Sequence, residues 1–191
     1  MATRLDLLCA AATPGLRAGH FPASDEPLDA KGRASLARLV GRLQGRATVL
    51  ASPALSALQT AEGLGLQATP EPALRDCDFG RWAGRPLADI EAQERDALAL
   101  WLSDPSSAPH GGESFVDVLQ RVGAWMDALP QNPAALAIAP AAVLRAAIVH
   151  ALAAGPRAML SLDVSPLARA SLTRSRAVWR FSALVPAAQD D

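Results

Sequence analysis

The stretch ALAIAPAAVLRAAIVHALA, residues 135–153, indicates how the chain is built. Its first five residues are a short apolar run that predicts a buried strand, and residues 140–153 predict a helix that begins directly after it. The same order occurs earlier, where ATVLA (47–51) is followed by Ser52 and Pro53, a good helix N-cap and first helical residue. Strands that alternate with helices in this way are typical of an α/β fold with a mostly parallel sheet.

Other segments continue this alternation. Residues 29–44 carry leucines and a valine at helical spacing, and Pro86 predicts the start of a helix that runs to about Trp101. Ser114 predicts the start of a strongly amphipathic helix, because Asp117 lies where a capping box places its acid. Three further strand-like runs are RLDLLC (4–9), ARASLTR (168–174) and VWRFSALV (178–185).

The composition fits one compact domain. The chain has 191 residues, of which 50% are hydrophobic and 19% are charged, a balance typical of a globular protein. We expect a single domain over residues 1–191, with three α/β/α layers, a mostly parallel central sheet and one antiparallel edge strand. Lys31 is the only lysine beside many arginines, which is typical of a GC-rich bacterial genome.

Charge and cysteine content limit the expected partners and compartment. The net charge of −1 is spread without long runs, so no nucleic-acid partner is expected. No apolar stretch approaches the roughly 20 residues that span a bilayer, and Asp6 interrupts the apolar opening of the chain. We therefore predict a first strand rather than a signal peptide, no membrane partner, and a cytoplasmic protein. Cys9 and Cys77 are predicted to be reduced thiols, with a bridge between them as the alternative.

The predicted ligand site is poor in charge. In an open α/β sheet, ligands collect at the carboxyl ends of the strands, where helices begin and backbone N–H groups point outward. Three such ends can be located in this chain, at CAAA (9–12), Ser52-Pro53 and APAA (139–142). An enzyme normally places charged or nucleophilic side chains at these ends, whereas this chain places mainly alanine and proline.

Six further motifs occur in a recognisable order along nearly the whole chain. They are LLCAAAT, DEPLDAKGRASLARL, ASPALSALQTAEGL, LRDCDFGRWAGRPLADI, HGGESFVDVLQRV and ALAIAPAAVLRAAIVHAL. In order and separation they resemble the histidine phosphatase superfamily, and VWRFSALV is similar to its closing strand. The resemblance implies a phosphoglycerate mutase-like α/β/α fold and, in ordinary members, phosphoryl transfer through a histidine.

The resemblance also implies where the family's catalytic groups fall. The Arg-His pair, whose histidine accepts the phosphoryl group, falls on Cys9 and Ala10. The second arginine falls on Ser56, the proton-donating acid on Asp76, and the second histidine on Pro140. Positions that match the family pattern are Thr13, Gly19, Asp78, Phe79, Gly80, Gly84, Gly112, Glu113, Ser114 and Arg145. Only the acid keeps catalytic chemistry, and aspartate is one methylene shorter than the usual glutamate.

These replacements predict a loss of phosphoryl chemistry. Alanine offers no lone pair to a phosphoryl group, and losing two arginines removes about 3–6 kcal/mol of phosphate binding. With no catalytic residue intact, we hypothesise a degenerate family member that binds a less anionic small molecule or a protein partner. The alternative is a phosphatase acting on a phosphorylated small metabolite, with Asp76, His20 or His110 in new roles. A third interpretation is a scaffold subunit whose alanines and proline fill the cleft.

Several polar residues have both a functional and a structural interpretation. Candidates to line the pocket are Thr13, His20, His110, Glu113 and Ala141. The two histidines could equally be solvated loop residues, and Asp76 could equally be a loop-capping carboxylate. No pair of histidines has the spacing of metal ligands, so neither a metal nor another cofactor is expected.

Two other residues near the predicted site are expected to be structural. Cys9 could replace the nucleophile, but a cysteine-based phosphatase needs an arginine six positions later, where this chain has Gly15. A cysteine in a buried strand is usually inert. Arg145 is predicted to form a structural salt bridge.

Overall fold

A computed structural model describes residues 3–43, 48–130 and 134–187. Their six strands form one sheet in the order β3-β2-β4-β1-β5-β6. The strands are β1 (Thr3–Cys9), β2 (Thr48–Ala51), β3 (Thr69–Pro70), β4 (Ala134–Ala139), β5 (Arg169–Ser175) and β6 (Val178–Val185). β1 pairs parallel with β4, and β2 pairs parallel with β4 and β3. The predicted α/β fold with a central sheet is confirmed, and the sheet is mixed.

The antiparallel part of the sheet differs from the expectation of one antiparallel edge strand. β5 runs antiparallel to both of its neighbours, β1 and β6. The antiparallel strand is therefore an inner strand of the sheet, and β6 is the edge strand. β5 and β6 form a hairpin whose turn residues Arg176 and Ala177 both have positive φ. Such two-residue turns match the twist of antiparallel strands, which explains why the chain reverses here.

Helices cover both faces of this sheet. They are α1 (Pro14–Arg17), α2 (Ala30–Leu36), α3 (Leu55–Gly63), α4 (Leu87–Gln93), α5 (Arg95–Ser103), α6 (Phe115–Ala128) and α7 (Ala141–Ala151). One apolar cluster joins β1 and β4 to α6 and α7, and a second joins the other face to α2 and α3. Successive side chains of β1 point to opposite faces of the sheet, so Leu7 and Cys9 lie in the first cluster and Leu8 lies in the second. The result is the expected three-layer arrangement.

The helix boundaries differ from the predictions at three places. α2 ends at Leu36, and residues 37–43 form turns. The sequence predicted a helix as far as residue 44, which lies outside the described residues. α3 begins at Leu55 rather than at Pro53, because the hydroxyl of Ser52 accepts a hydrogen bond from the backbone of Ala54 and holds a turn there. The capping box of Ser114 with Asp117 is confirmed.

The third difference is a break in the helix predicted from Pro86 to Trp101. α4 ends at Gln93, and Glu94 has an extended φ of −136° before α5 begins. The carboxylate of Glu94 accepts hydrogen bonds from Trp82 Nε1, Arg81 and Arg85. These contacts hold Glu94 outside the helical conformation, and they come from residues 9 to 13 positions earlier, which precede α4.

In the part of the chain that the structure describes, no helix is both long and apolar enough to cross a bilayer.

Candidate functional site

The carboxyl ends of three parallel strands meet at one edge of the sheet. β1 lies beside β4, and β4 lies beside β2, so their ends are neighbours. The backbone N–H of Ala10 donates to the carbonyl of Ala139 at 2.9 Å, and that of Ser52 donates to Ile138 at 2.8 Å. Cys9, Ala10 and Pro140 therefore share the edge at which the sequence predicted a ligand site, called here the strand-end site.

Small residues close the first part of this edge. Cys9 is 4% exposed and Ala10 is 7% exposed, so both side chains are packed rather than presented to solvent. Pro140 caps the start of α7 and is half-buried. It offers no backbone N–H to an anion at a helix N-terminus, where a donor would otherwise be available.

Ser56 lies half-buried in the first turn of α3. Its carbonyl accepts the hydroxyl of Thr60 at 2.7 Å, and the same Thr60 hydroxyl accepts the backbone N–H of Ala11 at 3.0 Å. The hydroxyl of Thr60 thus ties α3 to the loop that follows β1. The contacts described at this edge are thus backbone hydrogen bonds and the bonds of the Thr60 hydroxyl.

Asp76 provides the acid at the site. It lies half-buried in the loop after the 3₁₀ turn Pro72–Leu74, and its Oδ1 accepts the backbone N–H of Cys77 at 2.8 Å. Burial raises the pKa of Asp76 to about 6, although the Cys77 hydrogen bond and the charges of Arg121 and Arg145 act in the opposite direction. A carboxyl with this pKa can hold or release a proton near neutral pH.

The thiols beside Asp76 are not activated. Cys9 and Cys77 are both free and both buried. Burial raises the pKa of Cys9 to about 12, and the negative charge of Asp76 adds to this effect. Burial likewise raises the pKa of Cys77, again reinforced by Asp76. Since the thiolate is the nucleophile, neither cysteine is suited to attack a phosphoryl group.

Arg145 is the cation of the strand-end site. It lies in the second turn of α7, and its charge acts on both Asp76 and Cys9. Its Nε is buried and has no hydrogen-bond partner among the described residues, so the predicted structural salt bridge is not formed at that atom. Helical side chains tilt towards the N-terminus of their helix, and this tilt would have indicated that Arg145 points back to the strand ends.

A network of ion pairs holds the loop that carries Asp76. Glu113 pairs with Arg121 at 2.9 Å and with Arg75 at 2.6 Å, and it accepts the backbone N–H of Asp78 at 3.1 Å. Arg121 also donates to the carbonyls of residues 73, 75 and 76. Glu113, a predicted pocket residue, therefore positions this loop. The role of Arg121 could not be recognised from the sequence because its partners come from distant segments.

The other predicted pocket residues have different surroundings. Thr13 is buried and caps α1 by accepting the backbone N–H of Leu16. His20 is half-buried and forms an isolated β-bridge with Pro86. Ala141 is the first residue of α7 and is half-buried. Ala141 follows Pro140 directly in the chain and therefore lies at the strand-end site.

His110 belongs to an aromatic cluster and is not a solvated loop residue. It is 1% exposed, and its ring centroid lies 5.0 Å from that of Trp82 and 6.1 Å from those of Phe79 and Trp101. Its Nδ1 accepts the backbone N–H of Gly112 at 3.1 Å. Burial lowers the pKa of His110, so the neutral ring is favoured. This environment favours a structural role.

Within residues 3–43, 48–130 and 134–187, no group of three or more His, Cys, Asp or Glu side chains is placed to hold a metal ion. Among the described residues, the strand-end site thus offers the carboxyl of Asp76 and the guanidinium of Arg145, and the paired charges of Arg121 and Glu113 also act on Asp76.

The model of the histidine phosphatase superfamily (branch 1) matches residues 10–185. The chain belongs to this superfamily. The bifunctional protein Rv2228c of Mycobacterium tuberculosis is 38% identical over 87 residues, which are 44% of this chain and 24% of that protein. The glucosyl-3-phosphoglycerate phosphatase of the same organism is 39% identical over 66 residues, which are 35% of this chain and 30% of that protein. The matched part of the chain thus spans under a third of either relative.

Solved structures of superfamily members have the same fold. The mycobacterial glucosyl-3-phosphoglycerate phosphatase Rv2419c superimposes with a TM-score of 0.82 at 22% identity, covering 99% of this chain and 100% of that one. The α-ribazole phosphatase of Shigella flexneri superimposes with a TM-score of 0.82 at 22% identity, covering 98% and 100%. At this identity the likeness establishes the fold alone. One of the two relatives is named a phosphatase, which favours the phosphatase alternative over the binding hypothesis.

Proposed function

We propose that this member of the histidine phosphatase superfamily binds a small molecule at its strand-end site without forming a phosphohistidine. One observation carries the proposal: a packed alanine, Ala10, 7% exposed, stands where the family resemblance places the nucleophile. A methyl group cannot accept a phosphoryl group, and the adjacent Cys9 has a pKa of about 12. Covalent catalysis at this edge therefore has no nucleophile among the aligned positions.

The charges at the site define the ligand class. The buried Nε of Arg145 needs a hydrogen-bond acceptor, and Asp76 above its pKa of about 6 repels anions. A doubly charged phosphate would gain one guanidinium and face one carboxylate. A neutral or singly charged ligand with an acceptor for Arg145 and a donor for Asp76 fits this pair of groups better.

The test is calorimetric titration of the wild-type protein and of Arg145→Gln at pH 7.5, with inorganic phosphate and with a panel of neutral and singly charged metabolites. We expect a metabolite from this panel to bind, with an affinity about tenfold or more weaker in Arg145→Gln, because a charge-assisted hydrogen bond is lost. Phosphate binding that is tighter than that of every neutral or singly charged compound would contradict the proposal.

A second candidate function is hydrolysis of a phosphorylated small metabolite. Two observations favour it: one relative is named glucosyl-3-phosphoglycerate phosphatase, and the pKa of Asp76 near 6 suits a general acid that protonates a leaving group. Arg145 would hold a phosphate oxygen, and water would be the attacking group, since Ala10 cannot act.

Turnover of p-nitrophenyl phosphate separates the two functions. The second candidate requires hydrolysis that is lost in Asp76→Asn and in Arg145→Gln. Arg33→Gln is the matched control, because Arg33 is exposed on α2 and bonds to Gln59. Our proposal predicts that wild type and all three variants hydrolyse the ester no faster than a blank without protein.

A further inference from the structure

A cavity is lined by residues other than those that form the strand-end site. It has a volume of about 510 Å³. It is lined by α2, the turns that follow α2, the first residue of β5 and the last residue of β6. Small-molecule sites are typically clefts of about 300–1,000 Å³, so the cavity has a suitable size for a metabolite. We call it the arginine groove.

The arginine groove opens on a different face of the sheet from Arg145 and Asp76. Leu8 lines the groove and belongs to the cluster formed with α2 and α3, whereas Cys9 packs on the α6 and α7 side. Arg169 on β5 pairs directly with Leu8 in the sheet, so its side chain shares the face of Leu8. The groove therefore lies on the opposite face of the sheet from α7, which carries Arg145.

Four arginines line the groove: Arg17, Arg38, Arg42 and Arg169. None of the described residues that line it is acidic. Arg17 pairs with Asp29, which lies outside the lining. The described lining of the groove thus contains guanidinium groups and no acidic side chain, an arrangement that attracts anions.

Arg169 provides an independent indication of a ligand. Its Nε is buried and has no hydrogen-bond partner among the described residues. Buried polar atoms in folded proteins are almost always paired, so this guanidinium nitrogen is a donor available to a molecule bound in the groove.

Apolar side chains form much of the remaining wall, including Leu39, Leu43, Leu167 and Val185. These surfaces would contact an apolar body, while the arginines would contact its charged end. From this combination we propose that the arginine groove binds a small organic anion with an apolar body, whose carboxylate or phosphate accepts hydrogen bonds from Arg169 and Arg42.

The experiment is calorimetric titration of the protein with octanoate and with octyl phosphate, and with octyl glucoside as a neutral compound of the same chain length. We expect saturable binding of at least one anion and none of octyl glucoside. The stronger of the two anions identifies the headgroup, carboxylate or phosphate. Inorganic phosphate, which lacks the apolar body, should bind more weakly than octyl phosphate.

Substitutions then locate the binding. Arg42→Gln, at an exposed position, should weaken anion binding about tenfold, because one charge-assisted hydrogen bond is lost. Arg169→Met should have at least the same effect, with folding verified by circular dichroism. Arg33→Gln on α2 lies outside the groove and should change the affinity less than twofold. Arg145→Gln at the strand-end site should also leave it unchanged, which separates this proposal from the proposed function.

Three results would overturn the proposal: no saturable binding of either anion, equal binding of octyl glucoside, or an equal loss of affinity in Arg42→Gln and Arg33→Gln. The last result would indicate a general effect of net charge.

Discussion

The pKa of Asp76 is determined by effects that act in opposite directions. Withdrawal from water raises its pKa, whereas the Cys77 N–H and the charges of Arg121 and Arg145 favour the carboxylate. Burial dominates, so the pKa is about 6. The family resemblance indicated which residue would be the acid, but its pKa depends on segments that only the fold brings together.

The stability of the protein should therefore depend on pH through Asp76. Because its pKa is higher in the folded protein than the usual 3.8, the associated stability is full below pH 3.8 and is lost as pH rises through about 6. A shift of this size corresponds to up to about 3 kcal/mol. Asp76→Asn should be at least as stable as wild type at pH 8, and urea unfolding at pH 5 and pH 8 measures this.

The matched control for this prediction is Asp78→Asn, because Asp78 is exposed two residues later in the same loop. If Asp76→Asn loses stability at pH 8 relative to wild type, the carboxylate of Asp76 is stabilising and the account of its burial is wrong.

At the scale of elements, the junction between α4 and α5 depends on Glu94. The sequence predicted one helix from Pro86 to about Trp101, and no proline or glycine lies between Leu87 and Ser103. The break arises from side chains of residues 81–85, which hold the Glu94 carboxylate. Local patterns predict where a helix can form, but a break caused by tertiary hydrogen bonds is not visible in them.

Glu94→Gln tests this junction. The hydrogen bonds from Trp82 and Arg81 lower the pKa of Glu94 to about 2, so its stabilisation is present above about pH 4.5 and is lost as pH falls through about 2. We expect Glu94→Gln to lower the melting temperature at pH 7 and the difference from wild type to shrink between pH 4.5 and pH 2. Glu91→Gln, an exposed change on α4, is the control. A melting temperature at pH 7 equal to that of wild type would contradict the assigned role.

At the scale of the whole molecule, much of the fold follows from the sequence. The alternation of buried strands and amphipathic helices predicts the layers. The order of motifs predicts the superfamily, and the match of the superfamily model to residues 10–185 confirms it. The reversal of β5 inside the sheet was not predicted, because apolar patterns do not specify which strands become neighbours. The arginine groove was missed for the same reason, since its arginines come from three separate segments.

The strand-end site was predicted unevenly. Cys9, Ala10 and Pro140 were located by strand ends alone, and the structure places them at one edge. Arg145 was assigned a salt bridge that its buried Nε does not form. The sequence reveals which groups are replaced, but whether a remaining charge faces the site depends on side-chain direction. The assignment of residues 1–191 to one domain stays a prediction.

Restoring the family's charged groups tests the alignment of the whole site. The variant Cys9→Arg, Ala10→His, Ser56→Arg and Pro140→His should bind phosphate about a hundredfold more tightly than wild type, since two charge-assisted contacts are added. Ala34→Arg, which adds one arginine at an exposed position of α2, should not improve binding. A folded quadruple variant that binds phosphate no better than wild type would show that the residues are misaligned.

The most direct test of the central claim is intact mass spectrometry of the wild-type protein, quenched at alkaline pH during incubation with a phosphomonoester. Phosphohistidine survives these conditions, so a phosphorylated intermediate would add the mass of one phosphoryl group. We predict that the wild-type mass does not change, because Ala10 provides no acceptor. A phosphoryl group found on a histidine of the wild-type chain would contradict the account.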